Sequence, residues 1–273
     1  MLAYSAGMLY VEINGAAPSI ADLHRVAVVN YGHFTSMQVR ENRVRGLDLH
    51  LRRLDDASKE LFTATPGTDR VRSLLRQALD HGPGDVSARI SVFARSGDIS
   101  VPTPDVDLAV MVSLSDPVPE TPQTPWSVCS IPYLRESAHL KHAATMGLIR
   151  ARRAARSQGF DDAVFIGPDG LILEGSIWNL GLWDGETVTW PQGPKLPGVT
   201  EQLLTMGLHR IGVRTRTRPV VAQDLAHYQA AFASYSWCPA QPLASLDDVS
   251  FANPPAAFTM LEKAWDSVPW ETV

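Results

Sequence analysis

The sequence predicts two domains: a small N-terminal α+β domain at residues 1–117 and a larger C-terminal α/β domain, a pseudo-barrel, at residues 127–273. The boundary follows from four prolines between Ser113 and Trp126, because dense proline favours an extended linker, which we place at residues 118–126. Before the linker, strand patterns form hairpins and do not alternate with helices. After it, many short strands are interrupted by helices, which is typical of barrel-like α/β units.

Turn residues and apolar periodicity define the elements of the first domain. Asn-Gly and similar pairs mark tight turns, and apolar residues at helical spacing predict helices. The positions of Leu51, Leu54, Ser58 and Leu61 predict a helix at residues 49–62. The other predicted elements are strands at Leu9–Ile13, Phe34–Arg40, Arg43–Leu47, Ala88–Ala94 and Val106–Leu114, turns at Asn14-Gly15 and Glu41-Asn42, and a helix at Asp69–Leu79.

The same signals define the second domain. A strand is expected at Trp126–Pro132, and short strand pairs are expected around the turns at residues 167–170 and 184–185. The predicted helices are one marked by Ala144, Leu148, Ala151 and Ala155 and capped by Gly159, and one from near Thr200 to near Gly212.

Composition and charge exclude several classes of function. A net charge of −5 over 273 residues supplies no basic field for nucleic acid. The chain has no apolar run of transmembrane length, and its first 30 residues lack a secretory signal. Cys129 and Cys238 are too few for a disulfide scaffold or a cysteine zinc site, so we expect a reducing cytoplasm.

Lys141 is the first candidate for chemistry because lysine is rare in this chain. Of the 24 basic residues only four are lysines, namely Lys59, Lys141, Lys195 and Lys263. Arginine stays protonated in proteins, whereas a lysine amine can lose its proton and attack a carbonyl group. Taken alone, Lys141 is better interpreted as a solvated lysine near the start of a helix.

Other polar residues are weak signals individually. Glu174 ends a predicted strand, and Thr200 opens a helix whose unpaired amides could seat a phosphate. Arg53 lies on the helix at residues 49–62. His139 and His142 have no third ligand nearby in the sequence, so no metal site is expected.

In combination, these residues resemble the class IV aminotransferase family, which uses pyridoxal 5′-phosphate within the fold called type IV. That family includes branched-chain and D-amino acid aminotransferases and aminodeoxychorismate lyase. The resemblance covers nearly the whole chain. It rests on His50-x-x-Arg53-Leu54, on Lys141 followed by a helix, on Glu174-Gly175-Ser176-x-x-Asn179 and on Leu196-Pro197-Gly198-Val199-Thr200.

The resemblance implies a role for each of these residues. Lys141 is expected to carry the cofactor as a Schiff base and to move a proton during the reaction. Glu174 is expected to pair with the pyridine nitrogen, and Arg53 to hold the phosphate as a bidentate fork. The other implied cofactor contacts are Asn179, Val199, Thr200 and, in a C-terminal loop, Ser236, where the neighbouring Trp237 departs from the family's small polar residue.

Substrate recognition is less clearly marked. Tyr31 and His33 lie in the family's D-x-G-x-F-[ET] region and could reach the substrate; alternatively, one packs and the other is exposed. Arg95 matches a strand-end arginine that some members use to bind a carboxylate, and a solvated loop arginine is the alternative. Phe34-Thr35-Ser36 is more similar to the lyase branch than to the branched-chain branch.

The resemblance therefore implies a homodimeric, cytoplasmic enzyme that transfers an amino group from an amino acid or amine to a 2-oxo acid. Neither nucleic acid nor membrane is an expected partner. Two alternatives stay open: a pyridoxal-phosphate lyase that releases pyruvate, and a cofactor-binding paralogue without activity. The presence of Lys141, Glu174 and Arg53 argues against the inactive paralogue.

Overall fold

The computed structural model describes residues 7–101 and 106–273, so parts of the predicted N-terminal domain, residues 1–6 and 102–105, lie outside the described residues. The strands are β1 (Met8–Ile13), β2 (Gly32–Arg40), β3 (Arg43–Arg45), β4 (Val86–Ala94), β5 (Leu108–Ser115), β6 (Trp126–Pro132), β7 (Asp162–Ile166), β8 (Ile172–Gly175), β9 (Asn179–Trp183), β10 (Thr187–Pro191), β11 (Arg214–Arg218), β12 (Ala230–Tyr235), β13 (Cys238–Leu246), β14 (Val249–Ser250) and β15 (Trp270–Thr272). The α-helices are α1 (Ile20–Val28), α2 (Leu47–Phe62), α3 (Thr68–Leu79), α4 (Met146–Ser157), α5 (Val199–Arg210) and α6 (Pro255–Asp266), and a 3₁₀ helix spans Ala222–His227.

The chain folds into two compact units, each assembled from separate segments. The first unit runs to Val118 and also contains Leu140–Ala144 and Trp270–Val273. The second unit contains Pro119–His139 and Thr145–Pro269. A short segment around Lys141 therefore belongs to the first unit although the chain on both sides of it belongs to the second. The predicted domain boundaries at residues 117 and 127 stay a prediction.

The first unit is an antiparallel sheet covered by helices. Within the described residues, six strands pair in the order β1-β5-β4-β2-β3-β15. Helices α2 and α3 pack against β2 and β5. On α2, Leu47, Leu51 and Leu54 are almost completely buried, and burial of each such side chain contributes roughly 1.5–3 kcal/mol to stability. The apolar periodicity of the sequence thus identifies the face of α2 that carries the core.

The turns of the first unit match the prediction, but one strand is shorter than predicted. Glu41 and Asn42 both have positive φ, +50° and +57°, as a tight hairpin turn requires. The prediction that the following strand reaches Leu47 is wrong, because β3 ends at Arg45. Gly46 adopts a left-handed conformation with φ +67° and starts α2 immediately, so the chain leaves the sheet there.

The second unit is built on a curled mixed sheet. Its strands follow the order β11-β10-β9-β12-β13-β6-β7-β8, and β14 pairs with β13. The two ends of this sheet approach each other, because the Ile172 N–H at the start of β8 donates to the Val220 carbonyl, just after β11, at 2.8 Å. Leu171 and Val221 add a bridge at the same place. The predicted pseudo-barrel is therefore confirmed as a sheet curled into a half-barrel.

The helix that follows Lys141 begins later than predicted. Helix α4 starts at Met146, so Ala144 precedes it and the prediction that Ala144 marks its face is wrong. Ala151 and Ala155 are buried on that face, as expected. Gly159, with φ +88°, follows the end of the helix in the left-handed conformation expected of a capping glycine.

Several elements lie outside every prediction: α1, α6, the 3₁₀ helix and the five strands from β11 to β15. Of the two additional α-helices, α6 packs against α5. In the ranges 7–101 and 106–273, no helix combines the length and the apolar character that crossing a membrane requires.

Candidate active site

Lys141 lies in the five-residue segment of the first unit that pairs with β2. Its carbonyl accepts the Phe34 N–H at 2.9 Å, and the Ala143 N–H donates to the Gly32 carbonyl at 2.7 Å. His33 and His142 form the antiparallel bridge between these two bonds. Lys141 is not part of β6, which ends at Pro132, and runs beside the start of β2 instead.

The side chain of Lys141 lies over the aromatic ring of Phe34, a residue of β2. Its Nζ is 5.0 Å from the centroid of the Phe34 ring, and the guanidinium carbon of Arg89 is 3.6 Å from that centroid. The ring's electron-rich face attracts cations at these distances. Phe34 therefore gives the lysine an apolar neighbour and a fixed direction.

Arg53 is held on α2 by a short chain of polar side chains. Its guanidinium Nη2 donates to the Thr35 hydroxyl of β2. The same hydroxyl lies 2.7 Å from Nδ1 of His50, one turn before Arg53 on the helix. Thr35 and His50 are buried, so this chain fixes the direction of the guanidinium from behind.

Burial also leaves Arg53 with an unused donor. Its Nε is inaccessible to solvent and has no hydrogen-bond partner among the described residues. Burial lowers the pKa of Arg53 to about 10, which still leaves it charged at neutral pH. Burial, followed by the charges of Arg53 and Lys141, holds the pKa of His50 well below its usual range, so His50 is neutral. Arg53 is therefore a fixed cation with one buried donor that no described residue accepts.

His33 is part of the interior of the first unit. Its Nε2 lies 2.9 Å from the Ser58 hydroxyl, and its ring is only 2% exposed. Burial, and then the charge of Arg53, lowers the pKa of His33 to about 4. The ring is thus a neutral hydrogen-bonding core residue near neutral pH.

We expect this burial to make the protein acid-sensitive. Between about pH 6.5 and about 4 the unfolded chain protonates His33 while the folded protein does not. Stability is therefore lost as the pH falls through this window, by about 3 kcal/mol from His33 alone. Urea unfolding at several pH values measures this slope. His33→Gln should make this slope shallower, while the buried His50 still contributes to it, and the exposed His24→Gln should leave it unchanged; equal slopes in all three proteins would refute the assignment.

In the second unit, Glu174 is the penultimate residue of β8, and both its carboxylate oxygens accept hydrogen bonds. Oε1 accepts Nε of Arg135 at 2.9 Å, and Oε2 accepts the backbone N–H of Leu196 at 3.1 Å. The side chains of Arg135 and Glu174 are 6% and 7% exposed. A buried carboxylate with a cationic partner and a backbone donor is held both charged and directed.

Asn179 stabilises the loop that leads into α5. Its Nδ2 donates to the Leu196 carbonyl at 2.8 Å, so the backbone of Leu196 is bound on both sides, by Glu174 and by Asn179. Gly198 lies so close to Asn179 that a Cβ added there would clash with Oδ1 of that side chain. Asn179 therefore stabilises this loop, and Gly198 leaves the space that the Asn179 side chain occupies.

We expect Gly198→Ala to cost about 1–3 kcal/mol of unfolding free energy, the typical penalty of overpacking. Denaturant unfolding of the protein without added cofactor measures it. If the clash with Asn179 is the cause, the same substitution in an Asn179→Ala background should cost clearly less. An equal cost in both backgrounds would contradict this explanation.

Val199 and Thr200 form the first turn of α5, and Ser236 lies in the hairpin turn between β12 and β13. The first N–H groups of a helix have no partner inside the helix, and the dipole there favours an anion. Val199 is buried, whereas Thr200 and Ser236 are partly exposed. These positions are compatible with the predicted phosphate contacts, which stay predictions.

The remaining predicted substrate residues have structural partners. Nε of Arg95 donates to Oδ1 of Asp22 at 2.8 Å, and its Nη2 donates to Oδ2 at 3.3 Å. The Tyr31 hydroxyl donates to the Leu61 carbonyl at 3.1 Å, while its ring stays exposed. The guanidinium of Arg95 is therefore committed to a carboxylate of the protein itself.

Sequence reasoning assigned no individual role to three residues that support these sites, Thr35, His50 and Arg135, although Thr35 and His50 belong to the motifs that carry the resemblance. His50 stands three positions before Arg53 on one helix, and this spacing could have indicated a shared face. Arg135 gave no signal, because its partner Glu174 is 39 positions away. Across residues 7–101 and 106–273, no cluster of His, Cys, Asp and Glu could hold a metal ion.

The family comparison decides what kind of protein carries these residues. The family model for amino-transferase class IV matches residues 32–246, a span that includes Arg53, Lys141 and Glu174. The chain belongs to the class IV aminotransferase family. No curated relative matches this family member at a significant level.

Solved structures confirm the fold of this class IV aminotransferase family member. A branched-chain aminotransferase from the archaeon Thermoproteus uzoniensis, with norvaline, has a TM-score of 0.83 at 16% identity over 94% of both chains. A hypothetical aminotransferase from Mycobacterium tuberculosis in a PLP-bound form has a TM-score of 0.77 at 22% identity over 89% of this chain and 90% of that one. The T.th. branched-chain amino acid aminotransferase complexed with N-(5′-phosphopyridoxyl)-L-glutamate has a TM-score of 0.82 at 16% identity over 96% of this chain and 94% of that one. The predicted family and fold class are thus both confirmed.

Proposed function

We propose that the protein is a pyridoxal 5′-phosphate-dependent aminotransferase that moves an amino group from an amino acid or amine to a 2-oxo acid. The family match carries this proposal, because it spans a lysine, an arginine and a glutamate of the types that this cofactor needs. Relatives of the same fold support the cofactor, since one is described as PLP-bound and another as a phosphopyridoxyl-glutamate complex.

The residues present fit pyridoxal phosphate. The buried, unpaired Nε of Arg53 is a donor suited to a phosphate oxygen. The first turn of α5 offers unpaired amides of the kind that bind phosphate. Glu174 is held charged by Arg135, which suits a partner for a protonated ring nitrogen.

When bound, pyridoxal phosphate supplies an aldehyde for the amino group and a ring that withdraws electrons from the substrate α carbon. We propose that the Lys141 amine holds the cofactor covalently and moves the proton at the α carbon. By the family resemblance, Glu174 would hold a proton at the ring nitrogen, and Arg53, Val199, Thr200 and Ser236 would hold the phosphate. His50 is neutral, so it holds Arg53 in place without adding a charge beside Lys141.

Of the three substrate residues suggested by the sequence, we retain Tyr31. Its exposed ring is available to a ligand, whereas the polar groups of His33 and Arg95 are bound to Ser58 and Asp22. Thr35 also has a structural explanation, because its hydroxyl contacts Arg53 and His50. The similarity of Phe34-Thr35-Ser36 to the lyase branch therefore adds no separate support for a lyase.

A half-reaction experiment tests the proposed function. The purified protein with bound cofactor is mixed with single amino donors, D- and L-amino acids and simple amines, and its absorption spectrum is recorded. A transaminase loses the visible band with donor alone and regains it when pyruvate or 2-oxoglutarate is added. Release of pyruvate from aminodeoxychorismate without any acceptor would establish the lyase, and an unchanged spectrum with every donor would reject the transaminase.

We further propose a cytoplasmic homodimer. The family resemblance supports the dimer, and the two cysteines, Cys129 and Cys238, are free and buried, as in proteins of reducing compartments. Sedimentation velocity of the active protein tests the assembly. An active species that sediments as a monomer would contradict it.

A further inference from the structure

Arg135 donates to one oxygen of the Glu174 carboxylate and is itself bound to the protein backbone. While Nε of Arg135 donates to Oε1 of Glu174 at 2.9 Å, its Nη2 donates to the Ala138 carbonyl. The guanidinium is therefore anchored to the backbone, and its direction does not depend on Glu174. With the Leu196 N–H on Oε2, both carboxylate oxygens of Glu174 accept a hydrogen bond within the second unit.

A second buried ion pair lies close to the first. Nζ of Lys195 is 2.6 Å from Oε1 of Glu201, and both side chains are largely buried. Burial raises the pKa of Glu201, Lys195 opposes that rise, and the charge of Glu174 adds to it. The two carboxylates therefore interact, and each forms a buried ion pair, Glu174 with Arg135 and Glu201 with Lys195.

This arrangement has a chemical consequence for Glu174. A buried carboxyl group tends to take up a proton when no cation stabilises its charged form. A neighbouring carboxylate increases that tendency, because two close negative charges repel each other. The guanidinium of Arg135, bound to Oε1 of Glu174, opposes both the effect of burial and the repulsion from Glu201 before any ligand binds.

We propose that Arg135 is a positioning residue that keeps Glu174 ionised and correctly directed before the cofactor arrives. This inference rests on the proposed function, since it assigns Glu174 to the ring nitrogen of pyridoxal phosphate. Cofactor binding then needs no proton to leave Glu174. Without Arg135, a protonated Glu174 has to release its proton when the protonated ring nitrogen binds.

Calorimetry of cofactor binding tests this consequence. Pyridoxal phosphate is titrated into cofactor-free protein at about pH 6.5 in two buffers of different ionisation enthalpy, which gives the protons released per cofactor bound. Arg135→Leu should release more protons than the wild type, by up to about one per site. Its dissociation constant should rise roughly tenfold, as expected for one lost charge-assisted hydrogen bond. Arg135→Lys should keep the wild-type proton count with weaker binding.

Two controls separate this role from general damage. Arg218→Leu removes an arginine of the same unit that pairs with Asp224, and it should leave the proton count unchanged. In a Glu174→Gln background, Arg135→Leu should no longer alter the proton count, because Glu174 is the group that titrates. If Arg135→Leu does not fold, Arg135→Gln removes the charge while keeping a polar side chain.

The outcomes also separate this inference from the proposed function. Wild-type protein that does not bind pyridoxal phosphate overturns the proposed function itself. If wild-type protein binds pyridoxal phosphate but releases as many protons as Arg135→Leu or Arg135→Gln, only the proposed role of Arg135 is wrong. A change that persists in the Glu174→Gln background also overturns that role.

Discussion

Lys141→Ala is expected to lose nearly all turnover and the visible absorption band of the bound cofactor. The amine is the only group that we assign both to covalent attachment and to proton transfer at the α carbon. Loss of a positioned acid–base group alone costs about 10²–10⁴-fold in rate, and loss of covalent attachment adds to it. Steady-state assays and the spectrum of the purified variant measure the two effects.

Lys263→Ala is the matched control for this variant. Lys263 is one of the four lysines and lies exposed on α6. It should keep wild-type activity and spectrum. Full activity in Lys141→Ala would remove the basis of the proposed mechanism.

Arg53→Met is expected to weaken cofactor binding by about 10–100-fold without lowering the stability of the cofactor-free protein. The lost hydrogen bond from Nη2 to Thr35 is offset by removal of the buried Nε, which has no partner among the described residues and is costly without a ligand. Methionine fills similar space and removes that cost. Thermal unfolding with and without pyridoxal phosphate measures both terms, since a ligand stabilises the folded state in proportion to its affinity.

The neighbouring Arg52→Met provides the control, because Arg52 is exposed on the same helix. It should leave the cofactor-induced rise in melting temperature unchanged. A cofactor-free Arg53→Met protein that is several kcal/mol less stable than wild type would show that Arg53 serves the fold and not a ligand.

Local signals in the sequence predicted the elements that carry the site. The leucine spacing of α2 located Arg53 on a helix whose apolar face packs on the sheet, and Glu174 stands at the end of a strand as predicted. These features depend on residues close together in the chain. Periodicity and turn chemistry report such features directly.

Helix α1 was missed although a local signal was present. Ser19 caps it by accepting the Asp22 N–H, and a serine followed three residues later by an acidic residue is a start signal. The apolar residues of this helix do not mark a buried face, because Ile20 and Leu23 are exposed. Burial depends on what surrounds the helix, and the sequence of the helix alone does not contain that information.

Features built from distant residues could not be predicted. Strand β15 at the C-terminus pairs with β3, and the segment around Lys141 pairs with β2. The pairing of Arg135 with Glu174 could not be predicted either, since no sequence pattern links an arginine to a glutamate 39 positions away. The long-range pairing of strands decides these contacts, and one sequence contains no direct signal for it.

The central claim is that pyridoxal phosphate is bound covalently to Lys141. Borohydride reduction of the purified protein, followed by digestion and peptide mass spectrometry, tests it most directly because the reduction makes the bond permanent. The account predicts a phosphopyridoxyl mass on the peptide that contains Lys141 and on none containing Lys59, Lys195 or Lys263. A cofactor mass on one of those three lysines, or on no lysine in protein that shows the visible band, would contradict it.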